Sequence, residues 1–170
     1  ATEELPEDVA RSLSPKNRAF GDTRRVLSYF RLSPDGKRMI YGGRAKFGLT
    51  DAGEIAPTMY QFMLDRFPQL KGFKITHAWT GNVAFTLDEV PHMGNMDGLH
   101  YALGCNGSGV IMMTYMGTQV ARKIAGVADY DCGFDGNVFP SSPLYNGNPW
   151  FVPTIGRYFK VRDWLDRRFM

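Results

Sequence analysis

At 170 residues, 44% of them hydrophobic and 22% charged, the chain can close one core or one and a half and has the composition of an ordinary globular protein. Its 20 Lys and Arg stand against 17 Asp and Glu, a net charge of +3 mixed along the chain, so there is no basic stripe to neutralise nucleic-acid phosphates. No apolar run approaches the ~20 residues of a membrane-spanning helix, which excludes that class of partner as well.

Pro6 followed by Glu7 and Asp8 opens a short helix with Leu5, Val9 and Leu13 at spacing four, and Pro15 closes it. "VLSYFRL" (26–32) and "RMIYGG" (38–43) flank a Pro-Asp-Gly turn and read as a hairpin, with Val26, Phe30 and Leu32 on the face opposite Leu27, Tyr29 and Arg31. Between Ala56 and Leu70, Met59, Phe62, Met63, Phe67 and Leu70 recur at three and four, which predicts an amphipathic helix whose last turn Pro68 disrupts. "FKITHAW" (73–79) and "NVAFTL" (82–87) read as strands broken at Thr80-Gly81, "DEVPHMGNMDG" (88–98) as a loop, and "LHYALGC" (99–105) as another short strand. A largely buried helix runs from Val110 to a stop at Gly126. Residues 139–153 form a Pro- and Gly-punctuated wrap, and a last helix starts at Thr154 with Ile155, Phe159 and Trp164 or Leu165 inward.

The stretch "ALGCNGSGVIMM" (102–113) sets glycines and an asparagine where a strand meets a helix. Bare amides and the positive end of a helix dipole at such a junction suit an anion or a polar heterocycle. A tight turn packed on neighbouring backbone is the other reading of the same residues. The glycine order is not that of the dinucleotide fingerprint, and the 44 residues after Gly126 hold no parallel strand with a ribose-binding acid, so a self-contained Rossmann unit is excluded.

Six blocks in order, "ATEEL", "YFRLSPDGKRMIYGGR", "FPQL", "AWTGNVAFTLDEVPHMG", "GLHYALGCNGSGV" and "PSSPLYNGNPWF", resemble the C-terminal half of the D-amino-acid-oxidase-like FAD-dependent oxidoreductases. Within these the chain is most similar to the branch of gamma-glutamylputrescine oxidoreductases and glycine or sarcosine oxidases. The resemblance implies an α+β fold with a mixed, mostly antiparallel sheet and flanking helices. Residues 1–97 would belong to the substrate-side sheet, 98–126 to the last strand, glycine turn and helix of the FAD-binding domain, and 127–170 to a wrapping tail and terminal helix.

Matched motif to motif, Gly104, Asn106, Gly107, Ser108, Gly109 and Val110 fall on the family's flavin-contacting turn, and Gly81, Asn82 and Val83 on the segment passing near the ring. Two departures bear on substrate. Ser108 stands where many relatives have histidine, and Val83 where many amino-acid oxidases have arginine, so the carboxylate fork is lost unless Arg31 or Arg44 supplies it. An amine or longer amino compound is favoured, with Tyr29, Arg31, Arg44 and Trp79 on the substrate side. Each of these four also has a plain reading as sheet packing.

The resemblance further implies hydride transfer from the carbon bearing nitrogen to flavin N5, with no side-chain base required and no catalytic residue assigned. The resemblance implies FAD in a parent protein whose N-terminal FAD-binding half is missing here; the opening "ATEEL" without an initiator Met fits a start inside a longer protein and equally a trimmed N-terminus. The isolated chain is expected to hold FAD poorly, to be inactive, and to pair with copies of itself through exposed apolar surface. The rival reading is a non-catalytic binding module of the same fold without flavin.

Other candidates fall away. His77, His92 and His100 lack ligand spacing for a metal, and "NGSG" is not the G-x-S-x-G nucleophile elbow. Asp88 reads as a loop-capping carboxylate, and Cys105 and Cys132 as small core residues. Two cysteines without a CxxC pair or a secretory leader suggest a reducing, cytoplasmic location. The Arg162, Arg167 and Arg168 cluster, interleaved with Asp163 and Asp166, reads as a solvated helix face.

Overall fold

The computed structural model describes residues 1–44, 46–48, 50–145, 147 and 149–169. They form two compact units, residues 1–80 with 149–170, and residues 81–148. The architecture is α+β, with short antiparallel sheets and four helices.

In the first unit the strands β1 (Phe20–Gly21), β2 (Ser28–Leu32) and β3 (Met39–Gly43) form an antiparallel sheet in that order, with Phe30 opposite Tyr41 and Leu32 opposite Met39. The hairpin follows from its turn: Asp35 accepts from the Ser33 hydroxyl and from the Lys37 amide, and Gly36 takes a φ of 74°. Leu32 and Met39 bury against Leu5, Ala10 and Leu13 from α1 (Glu7–Leu13) and its lead-in, and against Met63 of α2 (Ala52–Arg66) and Leu70. Phe30 stacks on Phe20 and meets Phe67 edge-on.

α2 begins four residues before Ala56, because Asp51 caps it through the Gly53 amide at 2.7 Å, and Pro68 converts the expected last turn into a separate 3-10 turn, Pro68–Leu70. The expected strand 73–79 does not form. Its one ladder contact among the described residues is a bridge between Thr2 and Ile75, so the chain start, which also bonds to Met39, takes the place of a sheet neighbour.

The closing helix α4 (Val152–Phe169) starts two residues earlier than expected, and its inward face matches the expectation only at Phe159 and Leu165, both half-buried. Val152, Gly156, Phe159, Asp163 and Asp166 turn inward at helical spacing, while Ile155 and Trp164 are exposed. Asp163, read from the sequence as part of a solvated face, is only 6% exposed. It accepts from the amides of Val26 at 2.9 Å and Arg25 at 3.1 Å and from the Arg25 guanidinium, which also reaches Asp166 at 2.6 Å. The wrapping stretch 139–153 includes positions 146 and 148, which lie outside the described residues.

In the second unit, β4 (His92–Met96) and β5 (Leu99–Leu103) pair as a hairpin where a loop was expected over 88–98. The two-residue Asp97-Gly98 turn, with φ of 52° and 82°, is the cause, since left-handed pairs match the twist of the strands they join. α3 (Gly109–Ile124) lies on this hairpin through Met113, Met116 and Val120, with Met93, Cys132, Tyr130 and Phe134 completing the cluster. Only Met116 and Gln119 of α3 are buried, which corrects the expectation of a largely buried helix. At its C-terminal end Lys123 bonds both oxygens of Asp135 at 2.7 Å, and Asp135 accepts from Tyr130. Burial, reinforced by that carboxylate, pushes the Tyr130 phenol up to about 12.

The expected strand 82–87 does not form, and Val83, Phe85 and Leu87 are exposed. Among the described residues it has no ladder partner; it is tied instead through the Ala84 carbonyl and the Thr86 amide to Asn106. No helix among them is long and apolar enough to cross a membrane.

Candidate functional site: the glycine turn

β5 delivers the chain into residues 104–108, where three of four successive positions have positive φ: Gly104 at 77°, Asn106 at 50° and Gly107 at 97°. A chain reversing this tightly into a helix needs residues that tolerate the left-handed region. Among the described residues, a main-chain bond from Ser108 to Cys105 at 2.9 Å closes the turn, and one from Asn106 to Ala84 at 3.0 Å ties it to the preceding segment.

The Ser108 side chain makes no cap bond, and the first turn of α3 carries no acid. Among the described residues, nothing accepts from the N–H groups of Gly107, Gly109, Val110 or Ile111. Four donors therefore gather at the positive end of a helix dipole. No atom lies within 4 Å of where a Gly107 Cβ would stand, and Val110 and Ile111 are 88% and 76% exposed. The turn is therefore open around Gly107 and at the exposed Val110 and Ile111 side chains.

On its other side the turn is closed. A Cβ on Gly104 would lie 2.5 Å from the Thr86 methyl, and the Asn106 carboxamide bonds to the Thr86 amide. Gly81, Asn82 and Val83 lead directly into this tied segment, so the two groups of cofactor-side candidates belong to one local assembly.

Asp88 follows, accepting from Val90 at 3.2 Å as a loop-capping carboxylate does, and from His92 at 3.1 Å. Burial tends to raise its pKa, but the Val90 amide, the His92 ring and the Thr86 hydroxyl outweigh that and hold it below the usual carboxylate range. His92, which the sequence considers only as a metal ligand and sets aside, is buried and stacked on Phe139 with ring centroids 4.4 Å apart. Its position on the buried end of a strand was hidden by reading 88–98 as a loop.

The substrate-side candidates lie on the first unit. Tyr29 and Arg31 share the exposed face of β2. Tyr29 lies over Gly42, where a Cβ would meet its ring, and the Arg31 Nε donates to the Leu32 carbonyl at 2.9 Å. Arg44, just past β3, places its guanidinium 5.6 Å from the Phe47 ring centroid. Trp79, 65% exposed, stands on an irregular segment next to Thr80, whose hydroxyl reaches the Thr50 carbonyl. No group of three or more His, Cys, Asp or Glu suited to a metal occurs among the described residues.

Comparison with known proteins decides the family. The model of the DAO family, FAD dependent oxidoreductases, matches residues 1–123. The chain belongs to that family. It is 36% identical over 168 residues to the gamma-glutamylputrescine oxidoreductase of Escherichia coli (strain K12), covering 96% of this chain and 39% of that protein. It is 32% identical over 167 residues to the probable oxidoreductase OrdL of Haemophilus influenzae, covering 96% of this chain and 37% of that one. An OrdL of Rhizobium meliloti is 32% identical over 113 residues, covering 66% of this chain and 26% of that protein. This DAO-family chain thus spans under two-fifths of the length of the curated relatives it matches. No solved structure matches it.

The family's cofactor fits the glycine turn on chemical grounds. A flavin presents a ring edge of carbonyl and imine acceptors, and the turn offers unpaired donors with an unobstructed approach over Gly107.

Proposed function

We propose that this chain is the flavin-facing, substrate-side portion of an FAD-dependent oxidoreductase that oxidises an amine or a longer amino compound. The observation that carries the reading is the open glycine turn with four amides that find no acceptor among the described residues, in a chain of the DAO family. Bound FAD supplies the hydride-accepting chemistry. This chain's contribution is to direct the amides of Gly107, Gly109, Val110 and Ile111 at the ring edge where negative charge gathers on reduction. A helix-dipole effect of about 1–2 kcal/mol corresponds to roughly 20–45 mV on a two-electron potential, a tuning contribution.

On the substrate side, Tyr29, Arg31, Arg44 and Trp79 are proposed to contact the amino compound. Val83 carries no guanidinium, and the Arg31 Nε already serves the Leu32 carbonyl, which leaves Arg31 only its two Nη groups for an end-on approach to a carboxylate. One relative is named for gamma-glutamylputrescine, which agrees with the amine side of the reading. FAD retention and turnover are proposed for the longer protein and not for these 170 residues alone.

The test is a turnover screen of the full-length gene product supplied with FAD. Amines and α-amino acids are offered in parallel, and reduction of oxygen or a dye is followed together with release of the carbonyl product. Turnover of amines well above α-amino acids supports the proposal. A preference for α-amino acids overturns the substrate class, and a product that takes up no FAD favours a non-catalytic module.

A further inference from the structure

We propose that Asn106 is a positioning residue, whose carboxamide clamps the 84–86 segment onto the glycine turn and so fixes the direction of the turn's open amides. The proposal rests on the flavin reading above for its functional consequence.

Asn106 makes bonds in two directions. Its Oδ1 accepts from the Thr86 amide at 3.0 Å, and its Nδ2 donates across the turn to the Gly104 carbonyl at 2.8 Å. Its own amide donates to Ala84 at 3.0 Å. The orientation of the carboxamide follows from its partners: a main-chain N–H requires the oxygen and a main-chain carbonyl requires the NH2 group. The remaining Nδ2 hydrogen lies toward the Thr86 hydroxyl, 3.4 Å away. Both donor hydrogens are thus directed into the protein, and the side chain has none to offer a ligand.

The anchoring continues away from the turn. Thr86 donates to Val90 at 2.8 Å, Asp88 accepts from Val90, and Asp88 meets His92 on β4. The Thr86 methyl stands where a side chain at position 104 would be.

The turn needs such a clamp because of what else it contains. Gly104 and Gly107 permit the reversal, but by themselves they leave the backbone free to sample other conformations. Donors stabilise developing charge best when they are already aimed before it appears. Asn106 sits between the two glycines, tolerates a φ of 50°, braces the turn through the Gly104 carbonyl and ties it to the 84–86 segment.

The test uses the full-length gene product with Asn106→Gly, which keeps the left-handed backbone and deletes the carboxamide, and Asn106→Asp, which keeps the acceptor for Thr86. Amide hydrogen exchange over 84–86 and 106 is measured beside FAD affinity, read from quenching of flavin fluorescence. In Asn106→Gly, exchange over 84–86 is expected to quicken by about tenfold or more, FAD to bind about tenfold more weakly, and β2 and β3 to stay unchanged. Asn106→Asp is expected to retain protection at Thr86, and it serves if the glycine variant fails to fold. Unchanged exchange at Thr86 in Asn106→Gly overturns the clamp. Faster exchange with unchanged FAD affinity overturns its role in aiming the amides. If the parent protein binds no FAD, the flavin reading falls, and the exchange at Thr86 alone decides whether the clamp exists.

Discussion

Gly104 and Gly107 look alike in the sequence and differ in the structure. Both have positive φ, but a Cβ on Gly104 meets the Thr86 methyl at 2.5 Å, whereas one on Gly107 meets nothing within 4 Å. Gly104→Ala combines backbone strain with overpacking, about 2–4 kcal/mol, while Gly107→Ala carries the strain alone, about 1–2 kcal/mol. Urea unfolding of the two variants should separate them by about 1 kcal/mol or more, and equal losses would show that the Thr86 approach costs nothing. The glycines, Asn106 and the helix start were legible from residue type, because few residues tolerate a left-handed reversal. Which side of the turn is open was not, since it depends on Thr86, eighteen residues before Gly104. His92 was missed for a similar reason: only the partners Asp88 and Phe139 distinguish it from a loop histidine.

At the scale of elements, α4 is held to the start of β2 by a buried carboxylate rather than by apolar packing alone. Removing Asp163 leaves the Val26 and Arg25 amides without their acceptor and the Arg25 guanidinium with Asp166 alone, so Asp163→Ala should lose about 2–4 kcal/mol in denaturant unfolding. Burial tends to raise the Asp163 pKa, but the two amides and Arg25 outweigh it and hold the pKa below the usual value. The unfolded chain therefore binds the proton first as pH falls. Stability from Asp163 is fully present above about pH 4 and is lost as pH drops through the depressed folded value. Acid unfolding of Asp163→Asn should show a shallower decline below pH 4 than the parent, with Arg25 and Asp166 still in place; equal slopes would remove Asp163 from the account of acid sensitivity. Gly156→Ala tests the same docking sterically, because its Cβ would lie 2.4 Å from the Phe47 ring, and a melting temperature unchanged from the parent would contradict that contact.

The elements that sequence periodicity revealed are those stabilised locally: α1, α2, α3 and the hairpin with its Pro-Asp-Gly turn. Strands expected at 73–79 and 82–87 depend on distant ladder partners, which pattern alone does not supply. The β4–β5 hairpin was missed although Asp97-Gly98 signals it, because Pro91 and the neighbouring glycines outweighed the turn. The face of α4 was misjudged because a buried aspartate occupies a position in its inward stripe, which hydrophobicity counting places outside.

At the scale of the molecule, each unit has its own core, one around Met39, Met63 and Leu70, the other around Met93 and Met116. Large apolar side chains remain exposed, among them Leu99, Val110 and Ile111 in the second unit and Tyr158, Val161 and Phe169 on α4. Exposed apolar area of this kind drives association. The 170-residue chain alone is expected to self-associate in light scattering at micromolar concentration, and a monodisperse monomer would contradict that expectation.

The family was legible in six sequence blocks because they span nearly the whole chain. The substrate was not, because the contacts proposed for Tyr29, Arg31, Arg44 and Trp79 depend on a ligand that the sequence does not identify. The central claim is narrower, that the amides beyond Gly107 face a flavin. The direct measurement is the visible absorption spectrum of the full-length gene product after FAD addition and desalting, taken beside Gly107→Val, whose side chain would stand over the open amides. The expected result is stoichiometric bound FAD in the parent and its loss from the variant. A colourless parent, or a variant that holds FAD as tightly as the parent, would contradict it.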